Sequence, residues 1–544
     1  MDVGIYSADV LSTRDDELDQ DDRPGNSYAA LEKCASHWPE KPGVKFPLAS
    51  KSMTFSQWLK SSNRLANALR ALGVKKGDTV ALWAENRIEW TIVQTALAGL
   101  GAVLVPVNTH FRDEDLKYVL NHARAKVILL SRNFRSGDYL NIVNKQRNEL
   151  PFLQEVICFD ATDEPGIHSF EAILEKASDQ FQPTPIDPRE MGSVQYTSGT
   201  TGQPKGAALS FKGMMDNALE SATRLQITQD DRWTSIIPLF HCAGCIMNLM
   251  GCLSKGATYV GVPAFDPVHM FQIIEKEACT LLTGVPTSYL SMLQHPDRQQ
   301  YDLSSLRAGT CGGSDCDPVV LAQCAAEFPI KGLVQVYGQT EASTLIALDF
   351  PDSALRWETS GLPLPGMEVR ITHPESREVL APTQIGQIEV RGSMVMLGYL
   401  NQPDATQATI DPQGWMQTGD LGYLRPDGRV VIAGGRLRDM IIRGGENIYP
   451  VEIENILRDH PLVSEVSVFG MPDTYYGEVV CAAVSVKAQV TPADMKKHLE
   501  GKIAGFKHPV KYFLVTEWPM TSSGKIKKRD LKQAAVSNAL VEIA

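Results

Sequence analysis

The sharpest chemical signal in the chain is Tyr196-Thr-Ser-Gly-Thr-Thr-Gly-Gln-Pro-Lys-Gly206. Two glycines (Gly199, Gly202), four hydroxyl residues (Thr197, Ser198, Thr200, Thr201) and Lys205 fall within nine positions. Glycines let a backbone approach an anion closely; N–H groups and hydroxyls then donate to phosphate oxygens, and the lysine adds charge. The spacing is not that of a Walker A loop, because no Gly-Lys-Ser/Thr follows. A plain surface turn needs fewer hydroxyls. A second group, Tyr337-Gly-Gln-Thr-Glu341, follows the apolar run Gly332–Val336. It therefore sits at a strand's carboxyl end, where open α/β sheets bind ligands. Gly312-Gly313-Ser314 permits close approach of a ligand to the backbone. Cys242-Ala-Gly-Cys245 has the spacing of a redox or zinc pair but no second ligand pair, and reads as small pocket-lining thiols. Lys525 stands in a basic stretch with Lys527, Lys528 and Arg529.

These groups need a scaffold. Thr54 to Leu72 carries Trp58, Leu65, Leu69 and Leu72 on one helical face, with Gly73 placed to close the helix. Strand-like runs follow at Thr79–Trp83, Ala102–Val107 and Lys126–Leu130, separated by helical segments near Ile88–Gly99 and Arg112–Ala123. This alternation predicts βαβ units and parallel strands. It recurs at Trp233–Pro238, Ala257–Val262, Thr280–Val285 and Val334–Tyr337. Near residue 434 the character changes to a small α+β domain. A helix starts at Pro450, strands follow at Val463–Gly470 and Val479–Val486, and a helix opens at Thr491-Pro492-Ala493-Asp494.

With 544 residues, 43% hydrophobic and 21% charged, the chain is a globular protein of at least two domains. Its net charge of −12 argues against nucleic acid as the main partner. Ten sparse cysteines read as free thiols in a reducing compartment. Residues 1–25 hold eight acidic residues and two arginines, with no signal peptide visible, so a cytoplasmic protein is expected. Residues 1–27 read as a solvated, disordered acidic arm. The most apolar stretch, Thr91–Val107, is broken by Gln94 and Gly-Leu-Gly at 99–101, and reads as a buried helix and strand instead of a membrane span.

Taken together, these motifs resemble those of the adenylate-forming superfamily. That group contains acyl-CoA synthetases, coumarate-type ligases, firefly luciferase and the adenylation domains of peptide synthetases. Its other motifs follow in order: Pro238-Leu-Phe-His-Cys-Ala-Gly244, Gly312-Gly-Ser314, Tyr337–Glu341, Gly414-Trp-Met-Gln-Thr-Gly-Asp420, Gly435-Arg-Leu-Arg-Asp439, Gly444-Gly-Glu-Asn447 and Thr521-Ser-Ser-Gly-Lys525. The resemblance runs from about residue 28 to 534.

The resemblance implies roles. Thr197, Ser198, Gly199, Thr200, Thr201, Gly202 and Lys205 would hold the ATP phosphates. Gly313 and Ser314 would contact adenine, and Tyr337 would stack on it, with Gly338 and Gln339 completing the turn. Thr340 would bond the α-phosphate and Glu341 would hold Mg²⁺. Asp420 would accept the ribose hydroxyls, and Arg436 would contact the nucleotide. Lys525 would reach the substrate carboxylate and α-phosphate. Gly444, Gly445 and Glu446 would line the CoA pantetheine tunnel. Phe240 and His241 resemble the pair at the mouth of the acyl pocket, which Cys245, Met247, Cys311 and Val336 would line. Arg438 falls at the hinge, where relatives commonly carry Asp or Lys. Further departures are Cys311 and Asp315 around the Gly-Gly turn, and Ser210-Phe-Lys-Gly213 after the phosphate loop.

The expectation is an α/β fold. A large N-terminal domain (28–435) of parallel and mixed sheets with helices would join, through a hinge (436–438), a small mobile α+β domain (439–544). The expected enzyme is an acyl-CoA synthetase: carboxylic acid + ATP + CoA gives acyl-CoA + AMP + pyrophosphate. Its cofactors would be ATP, Mg²⁺ and coenzyme A, its acid an apolar acyl or aryl acid, and a homodimer is left open. Transfer to a carrier-protein thiol, a luciferase-like oxygenase and a catalytically dead nucleotide-binding module are the rivals. Amino-acid adenylation is disfavoured, because His241 stands where those relatives usually place an Asp.

Overall fold

The predicted alternation of strands and helices is present, and local chemistry explains its boundaries. Thr54 caps the helix Phe55–Ala71 through a capping box with Gln57. Its apolar face buries Trp58, Leu65 and Leu69, and the Trp58 indole donates to the Thr91 carbonyl at 3.2 Å. The next helix, Ile88–Leu100, is buried on every side and feeds the strand Val103–Pro106, as its near-continuous apolar sequence predicts. In the computed structural model, residues 5–7, 23–197, 204–313, 316, 318–374, 376–436, 441–448, 450–519 and 528–543 are described.

Contacts divide the chain into two units: residues 1–109, 120–195 and 206–435, and residues 110–119, 196–205 and 436–544. The first unit carries three main sheets. In one, Thr79–Trp83 lies parallel to Val103–Pro106 on one flank and to Val127–Leu130 on the other. A second, nine-stranded sheet contains β1 (Arg232–Ser235), β2 (Thr258–Val260), β3 (Leu281–Gly284), β4 (Ala308–Cys311), β5 (Gly332–Gln339) and β6 (Thr344–Leu348). β5, β4, β3, β1 and β2 are neighbours in that order and all parallel; β6 runs antiparallel to β5. β1 connects to β2 on one side, while β3 lies on its other side, so the connection reverses direction at β1 and β3.

The third sheet has five strands in the order Ile5–Ser7, Met367–Thr372, Gly386–Gly392, Met416–Leu424 and Val430–Arg436. Its edge strand comes from the expected acidic arm. Ile5–Ser7 pairs antiparallel with Met367–Thr372, in the register Ile5↔Arg370 and Ser7↔Glu368. At the arm's other end, Asn26 caps the helix Ser27–His37 and Arg23 pairs with Glu220 at 2.7 Å. Acidic composition predicts solvation, but an edge strand offers unpaired backbone groups that even a three-residue stretch can satisfy.

The second unit contains a sheet built on the hairpin Val463–Asp473 and Gly477–Val486, with Lys511–Leu514 parallel to the latter. The helix Pro450–Arg458 lays Ile453 and Leu457 into its core. The helix Pro492–Leu499 opens with a Thr491–Asp494 capping box. Lys507 is buried and paired with both carboxylate oxygens of Glu452, at 2.6 and 2.8 Å.

Candidate active site

The carboxyl ends of β1, β4 and β5 hold most of the site residues expected in the first unit. The segment after β1 contains Phe240 and His241 and leaves the sheet where the connection reverses direction, the usual ligand crevice of an open α/β sheet. Gly312 and Gly313 follow β4, and Val336 of β5 packs so close to Gly312 that no Cβ could stand there. Tyr337, Gly338 and Gln339 end β5, and Thr340, Glu341 and Ala342 form a single helical turn after it.

Four contacts tie these groups together. The Tyr337 hydroxyl donates to Asp420 Oδ2 at 2.9 Å, joining β5 to the strand Met416–Leu424. The Tyr399 hydroxyl donates to Glu341 Oε1 at 2.8 Å. Cys242 Sγ lies 3.6 Å from Thr340 Oγ1 and 3.7 Å from His241 Nδ1. Burial pushes the Cys242 thiol up, but His241 and the neighbouring hydroxyls outweigh it and leave the thiol below its ordinary value.

The turn after β5 is bent. The register of β5 and β6 shifts between Tyr337 and Gly338, and a Cβ on Gly338 would overlap the Thr344 carbonyl oxygen. Ser343 and Thr344 hold φ of +56° and +127°, a region that non-glycine residues avoid. Surrounding bonds hold this strain. Asn217 donates to the Leu345 carbonyl at 2.7 Å and accepts the Leu345 N–H at 3.2 Å, and Ser343 Oγ donates to the Met394 carbonyl at 2.7 Å.

Family comparisons agree with this geometry. The model of the AMP-binding enzyme family matches residues 31–400, and that of the AMP-binding enzyme C-terminal domain matches residues 452–525. The chain belongs to the AMP-binding enzyme family. "Putative acyl-CoA synthetase YngI" of Bacillus subtilis (strain 168) is 38% identical over 529 residues, covering 93% of this chain and 96% of the relative. The human mitochondrial medium-chain acyl-CoA ligase ACSF2 is 33% identical over 532 residues, covering 92% and 86%. Among solved structures, a double mutant of o-succinylbenzoate CoA synthetase (MenE) from Bacillus subtilis, bound with a product analogue, superposes with a TM-score of 0.83 at 28% identity, covering 95% of this chain and 99% of that one. The expected α/β fold and the expected enzyme class, an AMP-forming acid–thiol ligase, therefore stand. ATP, Mg²⁺ and CoA are the reactants and metal of that class.

Against this family background, the remaining motif residues fall as follows. Thr197 ends the strand Met191–Thr197, Lys205 begins Lys205–Ser210, and Thr197 Oγ1 lies 3.5 Å from the Lys205 carbonyl. Both belong to the second unit, as do Gly444, Gly445 and Glu446. Gly444 and Gly445 form the two-residue turn between Ile441–Arg443 and Glu446–Ile448, with φ of +56° and +86°. Such a hairpin demands glycine on conformational grounds. Ser198, Gly199, Thr200, Thr201, Gly202, Ser314, Arg438 and Lys525 lie outside the described residues, as does the Arg436 side chain.

The expected acyl lining is divided. Cys245 and Met247 are buried in the main core, on the π-helix Ala243–Met250. Cys311 is buried in a separate cluster, where Cys316 Sγ approaches its sulfur at 3.6 Å. Cys245 borders a cavity of about 20 Å³ with Gln94, Leu104, Ser193, Met214 and Met250, room for about one water. All ten cysteines are buried, and none is in a disulfide.

Sequence reasoning missed Tyr399, Asn217 and Cys242 as supports of the site. Cys242 lay inside a quoted motif. Tyr399 and Asn217 left no local signal, since each acts on residues far away in the chain.

Proposed function

We propose that the chain activates an apolar acyl or aryl acid with MgATP to an acyl-adenylate and then transfers the acyl group to CoA, acting in the cytoplasm. One observation carries this reading: Tyr337 is bonded to Asp420 at the strand end that also presents Thr340 and Glu341. An aromatic face, a carboxylate acceptor, a hydroxyl and a second carboxylate are what adenine, ribose, an α-phosphate and a metal require, in that order.

The residues fit Mg²⁺. Among the described residues, no group of three or more His, Cys, Asp or Glu side chains gathers to cage a cation. Glu341 stands at the strand end with one oxygen oriented by Tyr399. One carboxylate with phosphate oxygens and water is the donor set Mg²⁺ takes. Bound there, the ion neutralises charge on the phosphate oxygens.

The chain's own groups do the rest. The ring proton of His241 orients the acid. A carboxylate oxygen attacks the α-phosphorus, and the bond to pyrophosphate breaks. Thr340, Lys525 and the loop from Thr197 to Lys205 donate to the phosphate oxygens as charge moves onto them. The CoA sulfur then attacks the acyl carbon, and the bond to AMP breaks; Gly444–Glu446 lines the pantetheine path for this step. Arg438 is the hinge, and Arg436 contacts the nucleotide. Of the residues expected to line the acyl pocket, none but His241 can carry a positive charge, which favours an apolar acid. The relative named for medium-chain acyl substrates supports the same reading.

Pyrophosphate release with MgATP across fatty acids, benzoates and cinnamates, with and without CoA, tests this. A hit that yields a CoA thioester supports it. Release without thioester moves the acceptor to a carrier protein. Nucleotide binding with no release for any acid refutes it.

A further inference from the structure

We propose that Asn86 is a positioning residue for His241. Asn86 follows the strand Thr79–Trp83 in the other parallel sheet and is only 5% exposed. Its Nδ2 donates to the Ile237 carbonyl at 3.2 Å, and its Oδ1 accepts the Leu239 N–H at 2.6 Å. These two backbone groups flank Pro238, which has no N–H of its own. One side-chain amide thus supplies the donor and the acceptor that a neighbouring strand would supply, to a segment that has just left its sheet.

Only Phe240 separates this clip from His241, and the chain is fixed again immediately beyond. The His241 N–H donates to the Pro238 carbonyl at 3.0 Å, and the Cys245 N–H to the His241 carbonyl at 3.1 Å. The Ala243 N–H donates to His241 Nδ1 at 3.2 Å. In the neutral imidazole, an N–H aimed at Nδ1 makes that nitrogen an acceptor and leaves the ring proton on Nε2. Asn86 sets where the ring stands, and the start of the π-helix sets which nitrogen donates.

The inference rests on the reading of His241 as an acid-contacting group, so the test separates the two. Steady-state adenylation is measured for Asn86→Ala, His241→Ala and the double variant, with KM for acid and for MgATP determined separately. Loss of a buried backbone partner predicts a fall of roughly 10- to 100-fold in kcat/KM for the acid in Asn86→Ala, with KM for MgATP within about twofold. In the double variant the loss should match that of His241→Ala alone. Multiplying losses, or an equal rise in KM for MgATP, would overturn the positioning role. An unchanged kcat/KM for the acid in His241→Ala overturns the reading of His241 itself. Asn86→Asp keeps the acceptor for Leu239 and loses the donor to Ile237. It should show an intermediate loss, and it decides the question if Asn86→Ala does not fold; full activity in Asn86→Asp would overturn the clip.

Discussion

The Tyr337–Asp420 hydrogen bond allows a clean test of the nucleotide site. Tyr337→Phe removes one oxygen and keeps the ring, so the face proposed to stack on adenine survives. The lost bond is 2.9 Å long and reaches a carboxylate, a class worth about 1.5–3 kcal/mol. Asp420 is half-buried, so water recovers part of this, and the lower end of the range applies. About 1.5 kcal/mol corresponds to roughly tenfold. In ATP–pyrophosphate exchange at saturating acid, KM for ATP should rise about tenfold while kcat changes much less, because the bond positions the ribose acceptor in ground and transition states alike. Asp420→Ala should cost more, since it also removes the proposed ribose contact. Tyr337→Phe should then add almost nothing on the Asp420→Ala background. A KM for ATP unchanged in Tyr337→Phe, or losses that multiply in the double variant, would refute the account of Asp420 as a pre-aimed acceptor.

Other consequences are equally direct. Tyr399→Phe frees the Glu341 carboxylate, so half-saturating Mg²⁺ should rise about tenfold, and an unshifted Mg²⁺ titration would remove Tyr399 from the metal site. Gly338→Ala drives a Cβ into the Thr344 carbonyl, which should cost several kcal/mol and be visible as a large drop in Tm; a parent-like Tm would show that the bend after β5 relaxes freely. Lys525→Ala should abolish adenylation yet spare thioester formation from supplied acyl-adenylate, and Gly445→Trp should do the converse; equal loss of both half-reactions in either variant contradicts the division of labour. Burial, opposed by Lys507 and assisted by Glu452, holds the Asp115 carboxyl up at about 6, above its ordinary 3.8. The folded chain therefore binds this proton more tightly than the unfolded chain does. That stabilisation is complete below the ordinary value and is lost as pH rises through about 6. Asp115→Asn should flatten this part of the pH dependence of Tm, and an unchanged slope would show that another group governs it.

What the sequence could reveal follows from the distance over which each feature is decided. Tyr337–Glu341 and Gly312–Gly313 were legible at strand ends because an apolar run and the turn after it are contiguous. The helix after Thr54 was legible because its cap and its face lie within one segment. Asn86 was not, because its partners stand 151 and 153 residues away and meet it only through the packing of two sheets. Tyr399 and Asn217 are hidden for the same reason, at separations of 58 and 128. The pairing of Ile5–Ser7 was hidden because composition reports the cost of burial but not the demand of an unpaired edge, which that segment meets on Met367–Thr372. The packing of Cys311 against Cys316 was not legible either, because proximity to the Gly-Gly turn in the chain does not decide which way a strand residue faces. Residues read from contiguous motifs are thus the ones proposed to touch substrate, whereas Asn86, Asn217 and Tyr399 hold those residues in place. Substitutions at the first kind should impair chemistry with little change in the binding of other groups. Substitutions at the second should be masked once the residue they position is gone, and such masking would reveal further supports that no motif marks.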